Sequence, residues 1–257
     1  MFRILSWNVN GIRAIFKKGF AEWLQTESPE ILCVQETKAQ TDQLTDDILN
    51  PTGYHAYWAQ AEKKGYSGVA VYTKKKPLST GLSGLERFDA EGRVLQLYFD
   101  QFVLIAAYFP NSQDGGRRLE YKLDFCRSIH EICRKHTSEG RKLVLCGDYN
   151  IAHKPIDLAR PKENEGQAGY LPEERAWMDT FTADGYVDAF RKFDQEGGNY
   201  TWWSYQTRGR ERNVGWRIDY HCVNPPMDEH VEGAAILSDV MGSDHCPVQL
   251  SVGGLDI

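Results

Sequence analysis

The chain has 257 residues, 41% of them hydrophobic and 26% charged, with a formal net charge of −6. That length suits one large domain or two small ones, with a core that needs no disulfide or metal staple. No apolar run approaches the roughly 20 residues that span a bilayer, and MFRILSWNVNG lacks the apolar stretch and cleavage site of a signal peptide.

The six cysteines form no Cys-x-x-Cys pair, which argues against a zinc site. Cys33, Cys146 and Cys222 lie in apolar runs, where cysteine acts as a small hydrophobe, and a reduced intracellular setting is expected. A net negative charge argues mildly against nucleic acid. Local cationic clusters run the other way: Arg13, Lys17 and Lys18; Lys63 and Lys64; Lys74 to Lys76; Arg117 and Arg118; Arg208, Arg210, Arg212 and Arg217.

In chain order, Phe2 to Trp7 predicts a first strand. Ile12, Phe16, Phe20 and Leu24 recur at helical spacing, so one helix is expected up to Pro29. Ile31 to Val34 predicts a second buried strand, and Gln40 to Leu49 a short helix. Tyr54 to Trp58, Val69 to Tyr72, Val94 to Phe99 and Phe102 to Tyr108 follow as strands. Leu119, Leu123, Cys126, Ile129 and Cys133 define a long helix ending before Gly140. Leu143 to Cys146 reads as a strand that Gly147 ends. Pro172 suits the first turn of a helix carrying Trp177 and Phe181. Strand-like pieces near Tyr200 to Tyr205, Ile218 to Val223 and Val248 to Val252 complete a mixed α/β chain.

Polar residues gather where strands end. Asp148 and Asn150 follow LVLC; two apart, they would face one way if the strand continued. Asp-x-Asn is also ordinary turn chemistry. The pattern repeats, however, at Asn8 and Asn10, at Glu36, at Tyr108 and Asn111, and at Asp244 and His245. Asp219 lies inside an apolar strand pattern. Carboxylates and amides without sulfur make a hard-oxygen site for Mg²⁺, Mn²⁺ or Ca²⁺. With a base and an imidazole, such a site is suited to phosphoester hydrolysis.

WNVNG (7–11), LCVQETK (32–38), GYSGVAVY (65–72), YFPN (108–111), CGDYN (146–150), IDLARPKEN (156–164), NVGWRIDY (213–220) and GSDHCP (242–247) occur in this order. The set resembles the exonuclease III family of apurinic/apyrimidinic endonucleases, within the endonuclease/exonuclease/phosphatase superfamily, over essentially the whole chain. The resemblance implies one domain over 1–257, a four-layer αββα sandwich of two mixed β-sheets face to face with helices outside. It implies Mg²⁺-dependent hydrolysis, with Mn²⁺ as a substitute, of the phosphodiester 5′ to an abasic site in double-stranded DNA. A 3′-hydroxyl is left, and 3′→5′ exonuclease and 3′-phosphodiesterase activity on blocked 3′ ends are expected beside it. By the same resemblance the protein is a monomer in the cytoplasm.

Residue roles carry over at matching positions. Glu36, with Asp244 and Asn10, would bind the metal. Asp148 would be the general base or orient the attacking water, and Asn150 would hold that water or the transition state. His245, oriented by Asp219, would contact the phosphate. Tyr108 would bond the phosphate or leaving group, and Asn8 would support this network. Asn8, Asp148 and Asn150 stay open as alternative metal ligands. Trp202, Trp216 and Ile218 match a pocket for a flipped-out abasic sugar, and one of Trp202 and Trp203 is expected in the core. Arg13, Tyr66, Asn111, Arg208 and Arg210 would meet DNA, mostly at backbone phosphates. Asn10 stands where some relatives, including the main human enzyme, have Asp. Two other readings compete: a phosphatase or sphingomyelinase-like phosphodiesterase on the same scaffold, and a DNA-binding module without activity.

Overall fold

Strand β1, Phe2–Asn8, shows how the layers are built: Phe2 and Ile4 pack on one side of it, Leu5 and Trp7 on the other. A strand with both faces apolar is covered on both faces. In a computed structural model that describes residues 1–257, eleven more strands follow: β2 Ile31–Gln35, β3 His55–Ala59, β4 Val69–Thr73, β5 Ser79–Gly81, β6 Val94–Tyr98, β7 Phe102–Tyr108, β8 Lys142–Asp148, β9 Val187–Asp188, β10 Asp219–Val223, β11 Val231–Ile236 and β12 Val248–Val252. They form two six-stranded mixed sheets, ordered β11-β12-β1-β2-β4-β3 and β5-β6-β7-β8-β10-β9.

The sheets pack on each other through Phe2, Ile4, Cys33, Val71, Leu104, Cys146 and Leu250. The outer face of the first sheet is covered by Ile12, Ile15, Phe20 and Leu24. The outer face of the second is covered by Phe125, Cys126 and Ile129 of the helix Leu119–Ser138, and by Trp177, Met178 and Phe181 of the helix Pro172–Ala183. The architecture is the four-layer αββα sandwich. No helix is long and apolar enough to cross a membrane.

Several expectations need correction. The single helix over residues 12–24 is two, Ile12–Phe16 and Phe20–Glu27, broken where Gly19 adopts φ 89°. Gln40 to Leu49 yields only a tight turn at Thr41–Gln43 and one helical turn at Asp46–Leu49. Tyr200 to Tyr205 is no strand: Trp202 makes only isolated bridges to Trp216 and His245. Gly147 does not end β8, which runs on to Asp148. A Cβ at Gly147 would lie 1.8 Å from the Ala107 carbonyl oxygen, so glycine there lets β8 approach β7 closely. The short strands β5, β9 and β11 had no sequence signal strong enough to read.

Candidate active site

Register sets the first half of the site. β7 and β8 run parallel with Tyr108 beside Asp148, and β10 is antiparallel with Asp219 beside Asp148. Three polar side chains therefore lie side by side at one end of the second sheet. The first sheet ends at the same place, with Asn8 closing β1 beside Gln35 of β2. Asn8 Nδ2 donates to Asp148 Oδ2 at 2.8 Å, bridging the two sheets.

Turns after the strands bring the rest. Asn10, Glu36, Lys38 and Asn150 all have positive φ, 48°, 59°, 50° and 52°. Non-glycine residues rarely hold such backbone conformations, and they concentrate at functional sites. The Glu36 turn is braced by Lys38 N–H on the Ser67 carbonyl (2.8 Å) and Thr37 N–H on the Gly68 carbonyl (3.2 Å). A Cβ at Gly68 would lie 2.2 Å from Thr37 Oγ1, which accounts for the glycine in GYSGV. The GSDHCP loop is tied down by Ser243 Oγ donating to the Asn8 carbonyl (2.8 Å) and Trp7 Nε1 to the His245 carbonyl (3.1 Å).

Two clusters result around one cavity of about 410 Å³, and every member but Asp219, which lies behind His245, lines it. The first is Asp148, Asp219, His245, Asn8 and Asn150. His245 Nδ1 bonds Asp219 Oδ2 at 2.9 Å, and its Nε2 lies 3.9 Å from Asp148 Oδ2. Thr201 Oγ1 donates to the same Asp219 oxygen at 2.6 Å. Asn150 reaches Asp148 through its N–H (2.8 Å) and its side-chain amide (3.2 Å), and Asn111 Nδ2 donates to Asn150 Oδ1 at 3.1 Å. The Asp148–Asn150 pair is thus a turn and part of the site at once. Burial pushes Asp148 up, Asp219 adds to it, and His245, Asn8 and Asn150 offset only part, leaving it at about 7. Burial alone would lower His245, but Asp219 and Asp148 reverse this and push it up to about 10. Burial, with Glu36 and Asp148 nearby, holds the Tyr108 phenol well above its ordinary value. At neutral pH the imidazole is cationic, the phenol protonated, and Asp148 poised to gain or lose a proton.

The second cluster is Glu36, Lys38, Asn10 and Asp244. Asn10 Nδ2 donates to Asp244 Oδ1 at 2.9 Å, and Trp202 Nε1 to Asp244 Oδ2 at 3.0 Å. The Lys38 ammonium lies 2.8 Å from Glu36 Oε1 and 2.6 Å from Asn10 Oδ1. Burial would raise Asp244, but His245, Asn10 and Trp202 hold it below the usual carboxylate range. Glu36 and Asn10 already meet one cation, the lysine, and together with Asp244 they make a hard-oxygen set that fits a divalent ion. In the first cluster the ligand atoms of Asp148, Asp219 and His245 lie within 4.8 Å of one another, so this trio could also hold an ion, with His245 Nδ1 kept on Asp219 and its Nε2 left over.

Trp202, Trp216 and Ile218 form an apolar side of the cavity, with the two indoles edge to face at 6.3 Å. Trp203 is the buried member of its pair. The basic residues do not all converge. Arg13 and Arg208 are exposed. Arg210 is spent on the carbonyls of Ser238, Val240 and Ser243, with its guanidinium 4.7 Å from the Trp203 ring. The Tyr66 hydroxyl is taken by Arg93 (2.9 Å), Arg118 (2.6 Å) and Glu91 (3.3 Å). Lys38 and Thr201 were not read from the sequence as site residues; Lys38 stands inside the QETK motif, and Thr201 gave no signal of its own.

The family model described as Endonuclease/Exonuclease/phosphatase family matches residues 5–245. An exodeoxyribonuclease of Bacillus subtilis is 44% identical over 255 residues, spanning 97% of this chain and 99% of that one. A DNA-(apurinic or apyrimidinic site) endonuclease of Dictyostelium discoideum is 39% identical, spanning 97% and 70%. Among solved structures, an AP endonuclease from Leishmania major matches with TM-score 0.86 at 31% identity, spanning 97% and 86%. A 3′ phosphatase from Neisseria, solved bound to product DNA hairpin, matches with TM-score 0.87 at 26% identity, spanning 98% and 99%. With the model spanning nearly the whole chain and a relative at 44% identity, this protein belongs to the endonuclease/exonuclease/phosphatase family.

Proposed function

We infer that the protein is a DNA-repair AP endonuclease with exonuclease activity, acting through all 257 residues as one domain. Its substrate is double-stranded DNA with an abasic site or a blocked 3′ end. It hydrolyses the phosphodiester 5′ to the abasic site and leaves a 3′-hydroxyl. One observation carries this reading: strand ends of two sheets converge so that Asp148, His245 and Glu36 face one cavity with an indole-lined side.

Each residue has a task that follows from its surroundings. Asp148, raised to about 7, takes the proton of the attacking water. Asn8 and Asn150 fix its carboxylate. His245 stays cationic against Asp219, and its Nε2, turned toward Asp148 and the cavity, meets a phosphate oxygen. The phenol of Tyr108 remains protonated and donates to the phosphate or the leaving oxygen. Glu36, Asp244 and Asn10 would hold the divalent ion, Mg²⁺ with Mn²⁺ as substitute. Nucleases of this family are metal-dependent, and an ion held there would neutralise charge on the phosphate and the leaving oxygen. Trp202, Trp216 and Ile218 receive the base-less sugar, whose extrusion costs least where no base is stacked. Arg13 and Arg208, free at the surface, meet the DNA backbone.

The test is a duplex carrying one tetrahydrofuran abasic analogue, incubated with Mg²⁺ and again with EDTA. A metal-dependent nick 5′ to the analogue is expected. An intact strand under both conditions refutes the reading. A blunt undamaged duplex run alongside ranks endonuclease against exonuclease activity.

A further inference from the structure

Behind the amide side of the site lies an ion pair that the chemistry above leaves unused. Lys122, on the helix Leu119–Ser138, and Glu174, on the helix Pro172–Ala183, are both 0% exposed, with Nζ and Oε1 2.7 Å apart. Such a pair is weak evidence of stability, because desolvation consumes much of the attraction and apolar residues of like volume often serve as well.

Each charged end reaches a site loop. Lys122 Nζ donates to the main-chain carbonyl of Asn150 at 2.6 Å. Glu174 Oε1 also accepts from Ser112 Oγ at 2.7 Å, and Oε2 accepts from the Leu171 N–H at 2.9 Å. Ser112 follows Asn111, whose amide bonds Asn150 Oδ1. Asn150 holds φ 52°, a backbone setting it keeps only if its surroundings impose it. Its N–H and side-chain amide both end on Asp148.

We propose that Lys122 and Glu174 are positioning residues that clamp the Asn150 main chain and the Ser112 turn from behind, so that Asn111 stays on Asn150 and the amides of Asn150 stay aimed at Asp148. The consequence for turnover rests on the reading of Asp148 as the base; the clamp itself does not.

The neutral pair Lys122→Met/Glu174→Gln keeps the volume and removes both charges. Its fold is checked by circular dichroism and urea unfolding. On the tetrahydrofuran duplex kcat should fall by about 10–100-fold with KM within about threefold, since small misplacements of reacting groups cost on this scale. In an Asn150→Ala background the same pair should cost less than it does in the parent, because the side-chain amide is gone and only the main-chain N–H on Asp148 is left for the clamp to hold. Hydrogen exchange of the Asn150 N–H should speed up in the neutral pair, a readout independent of any activity. Unchanged exchange in a folded neutral pair overturns the clamp. Wild-type kcat, or a full loss repeated in the Asn150→Ala background, overturns its role in turnover. If the double variant does not fold, Glu174→Gln alone carries the same measurements. A wild-type enzyme silent on the abasic duplex sinks the functional reading, while the exchange experiment still decides the clamp.

Discussion

Asp148 and Asp157 are buried alike, each 1% exposed, yet their carboxyls are shifted in opposite directions. For Asp157 burial pushes upward, but Arg217 Nε at 2.8 Å, Arg191 Nη2 at 2.6 Å and the Lys154 N–H at 2.9 Å outweigh it, and the carboxyl stays below its ordinary value. Asp148 is pushed up by burial and by Asp219, and its amides and one imidazolium restore only part, leaving about 7. Partners, not depth, decide the charge. Arg217 also grips Asp188 with both Nη atoms, at 3.2 and 2.6 Å. One short segment therefore serves both ends: Trp216 and Ile218 line the cavity, while Arg217 between them ties the 155–157 turn to β9. A fully neutralised network fastens; an under-neutralised one can exchange a proton.

The sharpest break of this contrast is a pair of substitutions. Asp148→Asn keeps the shape but removes the proton acceptor and one of the two oxygens that accept from Asn8 and Asn150, so kcat on the abasic duplex should fall by about 10²–10⁴-fold, the usual worth of a general base. The urea midpoint should hold. Arg217→Met does the reverse, stranding Asp188 and leaving Asp157 with only Arg191 and the Lys154 N–H; unfolding free energy should drop by about 3–5 kcal/mol. An Asp148→Asn protein that unfolds, or an Arg217→Met protein as stable as the parent, would erase the distinction.

A smaller effect comes from His221, two residues from Asp219 on the same face of β10. His245 has two carboxylates nearby; His221 Nε2 has no partner, and burial lowers the imidazole to about 3. Its unfolded value is about 6.5. Between these values the unfolded chain binds the extra proton and the native chain does not. The stability associated with neutral His221 is thus complete above about pH 6.5 and is lost as pH falls, by up to about 1.4 kcal/mol per unit. His221→Leu should flatten this part of the acid slope. Urea midpoints of both proteins at pH 7.5, 6 and 5 would show it, and parallel curves would mean that His221 is protonated in the fold.

How much of this was legible follows from the same logic. β1, β2, β7 and β8 carry continuous apolar runs because both their faces are covered, so they could be read directly. The short strands β5, β9 and β11 have no such run; VEGAAI of β11 is only partly buried. Site residues at strand ends were visible as residues, but the alignment of Tyr108, Asp148 and Asp219 is a matter of register between distant segments. Lys122 and Glu174 did leave a trace. They fall on the apolar stripes Leu119-Cys126-Ile129 and Trp177-Met178-Phe181, where a charge needs a buried partner, yet nothing local says which.

The finest adjustment is at Asn10. Its amide N–H holds Asp244 Oδ1, and its oxygen accepts from Lys38, so this corner has two carboxylates and one resident cation. Asn10→Asp deletes the donor and sets a third carboxylate against Asp244. Like charges this close need a cation between them. A divalent ion then has more to neutralise, and added ligand charge tightens hard-cation sites. Half-saturating Mg²⁺ should fall by roughly 3–10-fold, read by activity against Mg²⁺ concentration and by calorimetric Mn²⁺ binding without DNA. If both stay put, Lys38 is already absorbing the new charge, and Lys38→Met in the same background should release the effect. If that second change also leaves the metal requirement where it was, this corner does not hold the ion.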